Sequence, residues 1–315
     1  MKKKSLVLVA GLLALVALAS CSKESGPDMP IVGENNGISF SSNITNRNPG
    51  SRASGGTWEN ADSIGVYMFE WAETTLAKSK KNVKYIASVG GAEANFNPAL
   101  EDSEIFFPDD DTYVVFMAYY PYRKDIVGDY SNGNIYKVNV SNQEKQSAID
   151  LLYSFNKETK YNKYSKVGEG KIPLEFTHML SQIKISLTAG TGFNDLEGVT
   201  VSLEGMNTTA DFYLFKGELK ELKEEVVIIP LLSTNNSYEA IVLPDNTSGK
   251  AKIKITLERK DGEENYTDRF FWTFDHDLVA SNSYTYNVTV NRTGLVVEGS
   301  ITNWLPGGEK SVSAE

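Results

Sequence analysis

Gln182-Ile183-Lys184-Ile185-Ser186-Leu187 sets three apolar side chains on one face and Lys184 and Ser186 on the other. A period of two is that of an extended strand with one buried side; a helix would repeat its apolar face every 3 or 4 residues. The same alternation returns in Val199-Thr200-Val201-Ser202-Leu203, in Ile253-Lys254-Ile255-Thr256-Leu257 and in Tyr284-Thr285-Tyr286-Asn287-Val288-Thr289-Val290. Strands buried on one side belong to antiparallel sheets, and short ones divided by Gly, Asn and Asp turns point to a β-sandwich.

Upstream the style is similar. Ile38-Ser39-Phe40 is a first strand, followed by a polar, turn-rich stretch from Ser41 to Thr57. Ser63-Ile64-Gly65-Val66-Tyr67-Met68-Phe69 is another strand, Ile105-Phe106-Phe107 runs into Pro108, and Tyr113 to Tyr120 ends at Pro121. Asn132-Gly133 before Ile135-Tyr136-Lys137-Val138-Asn139-Val140 carries a hairpin signal. Only Glu218 to Glu225 has helical composition, and it is short. Sixteen Tyr, 14 Phe and 4 Trp favour strands and supply large areas to bury. The expectation is an all-β chain of two tandem β-sandwich domains, residues 37–168 and 169–315, with polar residues 143–165 as the connection.

The amino terminus fixes the compartment. Lys2, Lys3 and Lys4 precede an uncharged apolar run from Leu6 to Ala19, and Leu18-Ala19-Ser20 leads into Cys21, the single cysteine of 315 residues. The run is shorter than the ~20 apolar residues a membrane span needs, so it reads as an export signal. Leu18 and the small residues after it make a bacterial lipobox. Residues 1–20 are then the signal peptide, Cys21 carries the lipid, and residues 21–36 form a flexible tether. Several acyl chains acting together, each methylene contributing about 0.8 kcal/mol, would hold the protein to the outer membrane. With Cys21 acylated no thiol remains for disulfides, zinc-thiolate sites or cysteine catalysis. The formal charge of -10 argues against nucleic-acid partners.

Reactive constellations are sparse. His178 reads as a core-edge histidine whose ring nitrogens bond backbone groups. Asp275-His276-Asp277 lacks the nucleophile elbow and the spatial arrangement of a hydrolase triad. Asp109-Asp110-Asp111 lacks calcium-loop spacing, and Glu101, Asp102 and Glu104 mean nothing for glycosidase chemistry without a cleft. No phosphate-cradling glycine motif occurs. The chain is expected to be no enzyme, with no metal and no cofactor. Trp58, Trp71, Tyr119, Tyr120, Tyr122, Trp272 and Trp304 could stack on sugar rings, so a non-polymerising, glycan-binding surface lipoprotein is the alternative reading.

In order along the chain, the lipobox, Ile38-Ser39-Phe40, Ser51-Arg52-Ala53, Trp58, Asp62-Ser63-Ile64-Gly65-Val66-Tyr67 and Phe107-Pro108 come first. Ala118-Tyr119-Tyr120-Pro121-Tyr122, Asp150-Leu151-Leu152-Tyr153, Leu174 to Ile183, Tyr284-Thr285-Tyr286-Asn287-Val288 and Ile301-Thr302-Asn303-Trp304 follow. This series resembles the fimbrillin-like family, the pilin subunits of Gram-negative gut and oral anaerobes. The resemblance implies transthyretin-like Greek-key sandwiches and a lipoprotein route to the cell surface. It also implies an arginine-specific cut at Arg52-Ala53, with Arg47 as the alternative, that releases the first strand. Another pilin subunit would then fill the opening by donor-strand complementation, and a fimbrium would bind host or bacterial surface glycans or proteins. The chain departs from the pattern after Trp304, where Pro306-Gly307-Gly308 interrupts the tail. The donor could instead be Tyr284–Val290 or Gly294–Ile301.

Overall fold

The structure, a computed structural model, describes residues 37–44, 57–71, 77, 80–100, 104–128, 134–303 and 309–311. The chain is all-β. Its first strands are β1 (Phe40–Ile44), β2 (Ser63–Glu70), β3 (Val83–Ala87), β4 (Glu93–Pro98), β5 (Val114–Tyr120), β6 (Ile135–Asn139), β7 (Leu152–Phe155) and β8 (Ile172–His178). Then come β9 (Ser181–Ala189), β10 (Val199–Glu204), β11 (Asn207–Tyr213), β12 (Glu218–Glu225), β13 (Leu231–Thr234) and β14 (Ser237–Val242). The last are β15 (Lys252–Asp261), β16 (Glu264–Thr273), β17 (Asn282–Asn291), β18 (Gly294–Asn303) and β19 (Glu309–Ser311).

Seven strands close on themselves in the order β1-β4-β3-β2-β5-β7-β8. Inside lies a core containing Phe40, Ile64, Val66, Met68, Phe96, Phe116 and Phe176. Tyr67, Phe69, Val115, Met117 and Tyr119 point the other way, into a second core shared with the rest of the chain. β2 and β5 are therefore buried on both faces, and this is why they read as continuous apolar runs rather than alternating ones. Gly65 has to be glycine, because a Cβ there would lie 2.4 Å from the Tyr119 ring.

The second core is enclosed by a six-stranded sheet, β13-β14-β9-β17-β18-β19, and two three-stranded sheets, β10-β15-β16 and β12-β11-β6. β9 behaves as its alternation demands, with Ile183, Ile185 and Leu187 buried. It lies between antiparallel β14 and parallel β17. The chain crosses between the two bodies three times: from β5 to β6, which joins β11 in the second, back from β6 to β7 and β8, which close the first, and out again from β8 to β9.

Four sequence expectations change. The first strand is Phe40–Ile44 rather than Ile38–Phe40, so Ser41 to Ile44, expected to open a turn-rich stretch, are held in a strand by pairing with β4 and β8. Glu218 to Glu225 is strand β12, a hairpin partner of β11, because tertiary pairing overrides a weak helical preference. Residues 143–165 are more than a connection. They contain β7, and the Gln143 side-chain amide bonds both backbone groups of Ile241, donating to its C=O at 2.8 Å and accepting from its N–H at 2.8 Å. Ile105-Phe106-Phe107 is irregular, yet the Ile105 carbonyl receives the Ile38 N–H at 2.8 Å. Asn132 and Gly133 lie outside the described residues.

Candidate functional site

β1 is short, but it occupies a deep seat. It runs antiparallel to β4, with Phe40 opposite Phe96 and Ser42 opposite Ala94. On its other edge it runs parallel to β8, with Phe40 opposite Ile172 and Ile44 opposite Phe176. Because successive side chains alternate in direction, Ile38, Phe40, Ser42 and Ile44 all point inward, with exposures of 0%, 0%, 3% and 3%. Each fully buried large side chain contributes about 1.5–3 kcal/mol.

The slot has two differently built ends. At the Phe40 end the ring packs edge-on against Tyr85 at 4.9 Å and Phe116 at 5.2 Å. The Tyr85 hydroxyl donates to the Ile38 carbonyl at 2.9 Å and accepts from the Ile105 N–H at 3.2 Å. Burial pushes its phenol well above the usual tyrosine range, so it stays a neutral donor. At the Ile44 end an aromatic box is formed by Trp58 against Phe96, Tyr120 and Phe176 at 5.0, 5.4 and 5.2 Å. Trp58 is held there by reciprocal backbone bonds with Gly91 of 2.7 and 2.8 Å. Its indole Nε1 is buried without an acceptor, a defect costing about 1–3 kcal/mol beside the seat of β1.

β7 pairs with β8 only at Leu152↔His178 and Tyr153↔Thr177. Beyond these the two strands part around a cleft of about 640 Å³, lined by Phe116, Phe155, Tyr161, Ile172, Leu174 and Glu175 among others. β8 thus has β1 on one edge and an open seam on the other.

The sequence-derived sites fare unevenly. Cys21, Arg47, Arg52, Ala53 and Trp304 lie outside the described residues, as do Glu101 and Asp102. His178 Nδ1 lies 2.9 Å from the Asp150 carboxylate, a buried side-chain pair where backbone partners were expected. His276 sits 2.6 Å from Asp275 and 3.0 Å from the Tyr286 hydroxyl. The Asp109–Asp111 turn is tied locally, Asp110 accepting from the Thr112 N–H and Asp111 facing Lys163 at 3.6 Å. Of the aromatics proposed for sugar stacking, Trp58, Tyr119 and Tyr120 are buried in the cores. Trp71 is 43% exposed, but the Lys160 ammonium lies over its ring at 3.7 Å. The slot walls β4 and β8 and the Tyr85 bridge were missed; the alternation Ile172-x-Leu174-x-Phe176 was the available signal.

A family model described as fimbrillin-like matches residues 51–304. The chain belongs to the fimbrillin-like family. It is 30% identical over 311 residues to a candidate fimbrium subunit, Fim1C, of Bacteroides uniformis, covering 98% of this chain and 97% of that one. A crystal structure of a candidate cell adhesion protein from Bacteroides uniformis superposes with a TM-score of 0.67 at 27% identity, covering 85% of this chain and 98% of that one. Another, from Bacteroides ovatus, has a TM-score of 0.63 at 19% identity, over 87% and 99% of the two chains, and so shares the fold. In this fimbrillin-like chain the seat of β1 is the feature with the clearest mechanical meaning.

Proposed function

We propose that this fimbrillin-like chain is a structural subunit of a surface fimbrium that assembles by strand exchange, with no catalytic role. The observation that carries the reading is the seating of β1 between β4 and β8, with every inward side chain buried. Taking such a strand away exposes an apolar slot and two rows of unpaired backbone groups. An extended strand from elsewhere satisfies both. A cut at Arg52-Ala53, or at Arg47, severs β1 from β2 and leaves it held by noncovalent contacts alone. Cys21 acylation anchors the uncut form to the outer membrane.

β18 of a second copy fits the slot best. β17 is paired on both sides and its Tyr284, Tyr286, Val288 and Val290 are buried, so its withdrawal would dismantle the second body. β18 is seated loosely. Residues 294–302 are only partly covered or exposed, and a cavity of about 230 Å³ lies against Val297, Gly299 and Ile301 over Trp272 and Tyr286. Leu295, Val297, Gly299 and Ile301 repeat the large-large-small-large pattern of Ile38, Phe40, Ser42 and Ile44. In that register each half-covered apolar group would become fully buried.

The test treats the full-length lipoprotein with an arginine-specific protease and follows oligomers in warm detergent. The expected result is a detergent-resistant ladder, absent when Val297→Asp is introduced. A chain trimmed to Ala53 that stays monomeric overturns the polymer reading.

A further inference from the structure

The half of β8 that borders the slot has only one strand partner. From Ile172 to Glu175 it pairs with β1, while its opposite edge lines the seam. The Ile172 N–H donates to the Ser39 carbonyl at 3.0 Å, and the Met179 N–H to the Leu151 carbonyl at 2.9 Å. Backbone groups alternate in direction along a strand, so Ile172, Leu174 and Phe176 face β1, whereas Pro173 and Glu175 face the seam. Proline has no N–H to offer there, and Glu175 is exposed. Both are devices that keep a sheet edge from accepting a neighbour. The seam is therefore not a second docking groove. It is a break in the sheet that leaves Ile172–Glu175 dependent on whatever strand fills the slot.

We infer that loss of β1 unfastens Ile172–Glu175 as well, and that a partner strand docks first at the Phe176 end and zips toward Ile172, refastening β8 as it advances. This rests on the strand-exchange reading. The two ends differ in what survives without β1. At the Ile44 end, β8 remains fixed by its pairs with β7, and the Trp58 box stands on contacts among Trp58, Phe96, Tyr120 and Phe176. At the Phe40 end, β4 and the Tyr85 and Phe116 rings remain, but the β8 wall does not. An incoming strand meets two walls at the first end and one at the second. In the register given above Ile301 leads and Leu295 follows.

Native-state hydrogen exchange on the full chain tests the first half. The amides of 40–44 and those of Ile172 and Leu174, which face β1, should open together at one rate, while 177–179 and 151–153 stay protected. In Phe40→Ala the first two segments should lose protection jointly, on the order of a hundredfold. Retained protection at Ile172 and Leu174 while 40–44 opens overturns the coupling. Assembly kinetics of protease-treated chains test the order of docking. Ile301→Ala should slow dimer formation severalfold, and Leu295→Ala should leave that rate unchanged while speeding dissociation; the reverse overturns it. A wild-type chain that never assembles counts against the strand-exchange reading instead, and leaves the exchange measurement to decide the coupling.

Discussion

β1 and β18 stand near opposite ends of the chain, and their seats differ in kind. β1 is a stopper, with neighbours on both edges and Ile38, Phe40 and Ile44 buried in the closed sheet. β18 also has two neighbours, but β19 covers only Ser300 to Thr302 on its outer edge, and its inner face lies over a void. The same alternating pattern gives a tight fit in one place and a loose one in the other. Apolar burial is worth roughly 25 cal/mol per Å² wherever it occurs, so the looser strand gains most from being moved.

Substitutions at matching positions should break this contrast if it is wrong. Phe40→Ala removes a fully buried ring and should lower unfolding free energy in urea by about 3–5 kcal/mol. Leu295→Ala, at a half-covered site, should cost only about 1 kcal/mol. Equal losses would mean that β18 is as firmly held as β1. A size test sharpens the comparison. Ser42→Leu overfills a seat bordered by Ala94 and Leu174 and should destabilise by about 1–3 kcal/mol, measured the same way. Gly299→Leu has the cavity beside it and should cost less.

The smallest expected effect is electrostatic. Asp62 accepts from the Tyr120 hydroxyl at 3.0 Å and the Glu59 N–H at 2.8 Å, beside the Trp58 box. Burial nevertheless raises its carboxyl above the usual range. A group that binds its proton more tightly when folded favours the folded state at low pH. That contribution is lost as pH rises from the ordinary aspartate range through the raised one. Thermal stability should therefore slope downward over that window, and Asp62→Asn should flatten the slope. An unchanged slope would place its origin elsewhere.

How much was legible follows from where the information sits. The β9, β10, β15 and β17 strands were readable because each is buried on one side and alternates. β2 and β5 were readable as strands but not as double-faced ones, since a continuous apolar run does not say what covers its second side. β7 and β12 were misread because each depends on a partner distant in sequence or on hairpin pairing that outweighs local preference. At the candidate site, Ile38-Ser39-Phe40 signalled a strand with a buried side but placed it too early, since Ser41 to Ile44, whose polar residues read as turn, form most of β1. Its walls did not announce themselves, because Phe96 and Ile172 meet Phe40 only through folding.

Local order was legible where it is one-sided: a period of two announces β9, β10, β15 and β17, and the aromatic content needs no fold to be read. Which strands become neighbours, that Ile172–Glu175 of β8 is supported on one edge, and that β18 rests over a void were decided by the tertiary structure. The reason is physical. Side-chain direction is a property of adjacent residues, whereas pairing and burial are settled by competition among segments far apart in the chain, each satisfying its backbone groups where the others leave room.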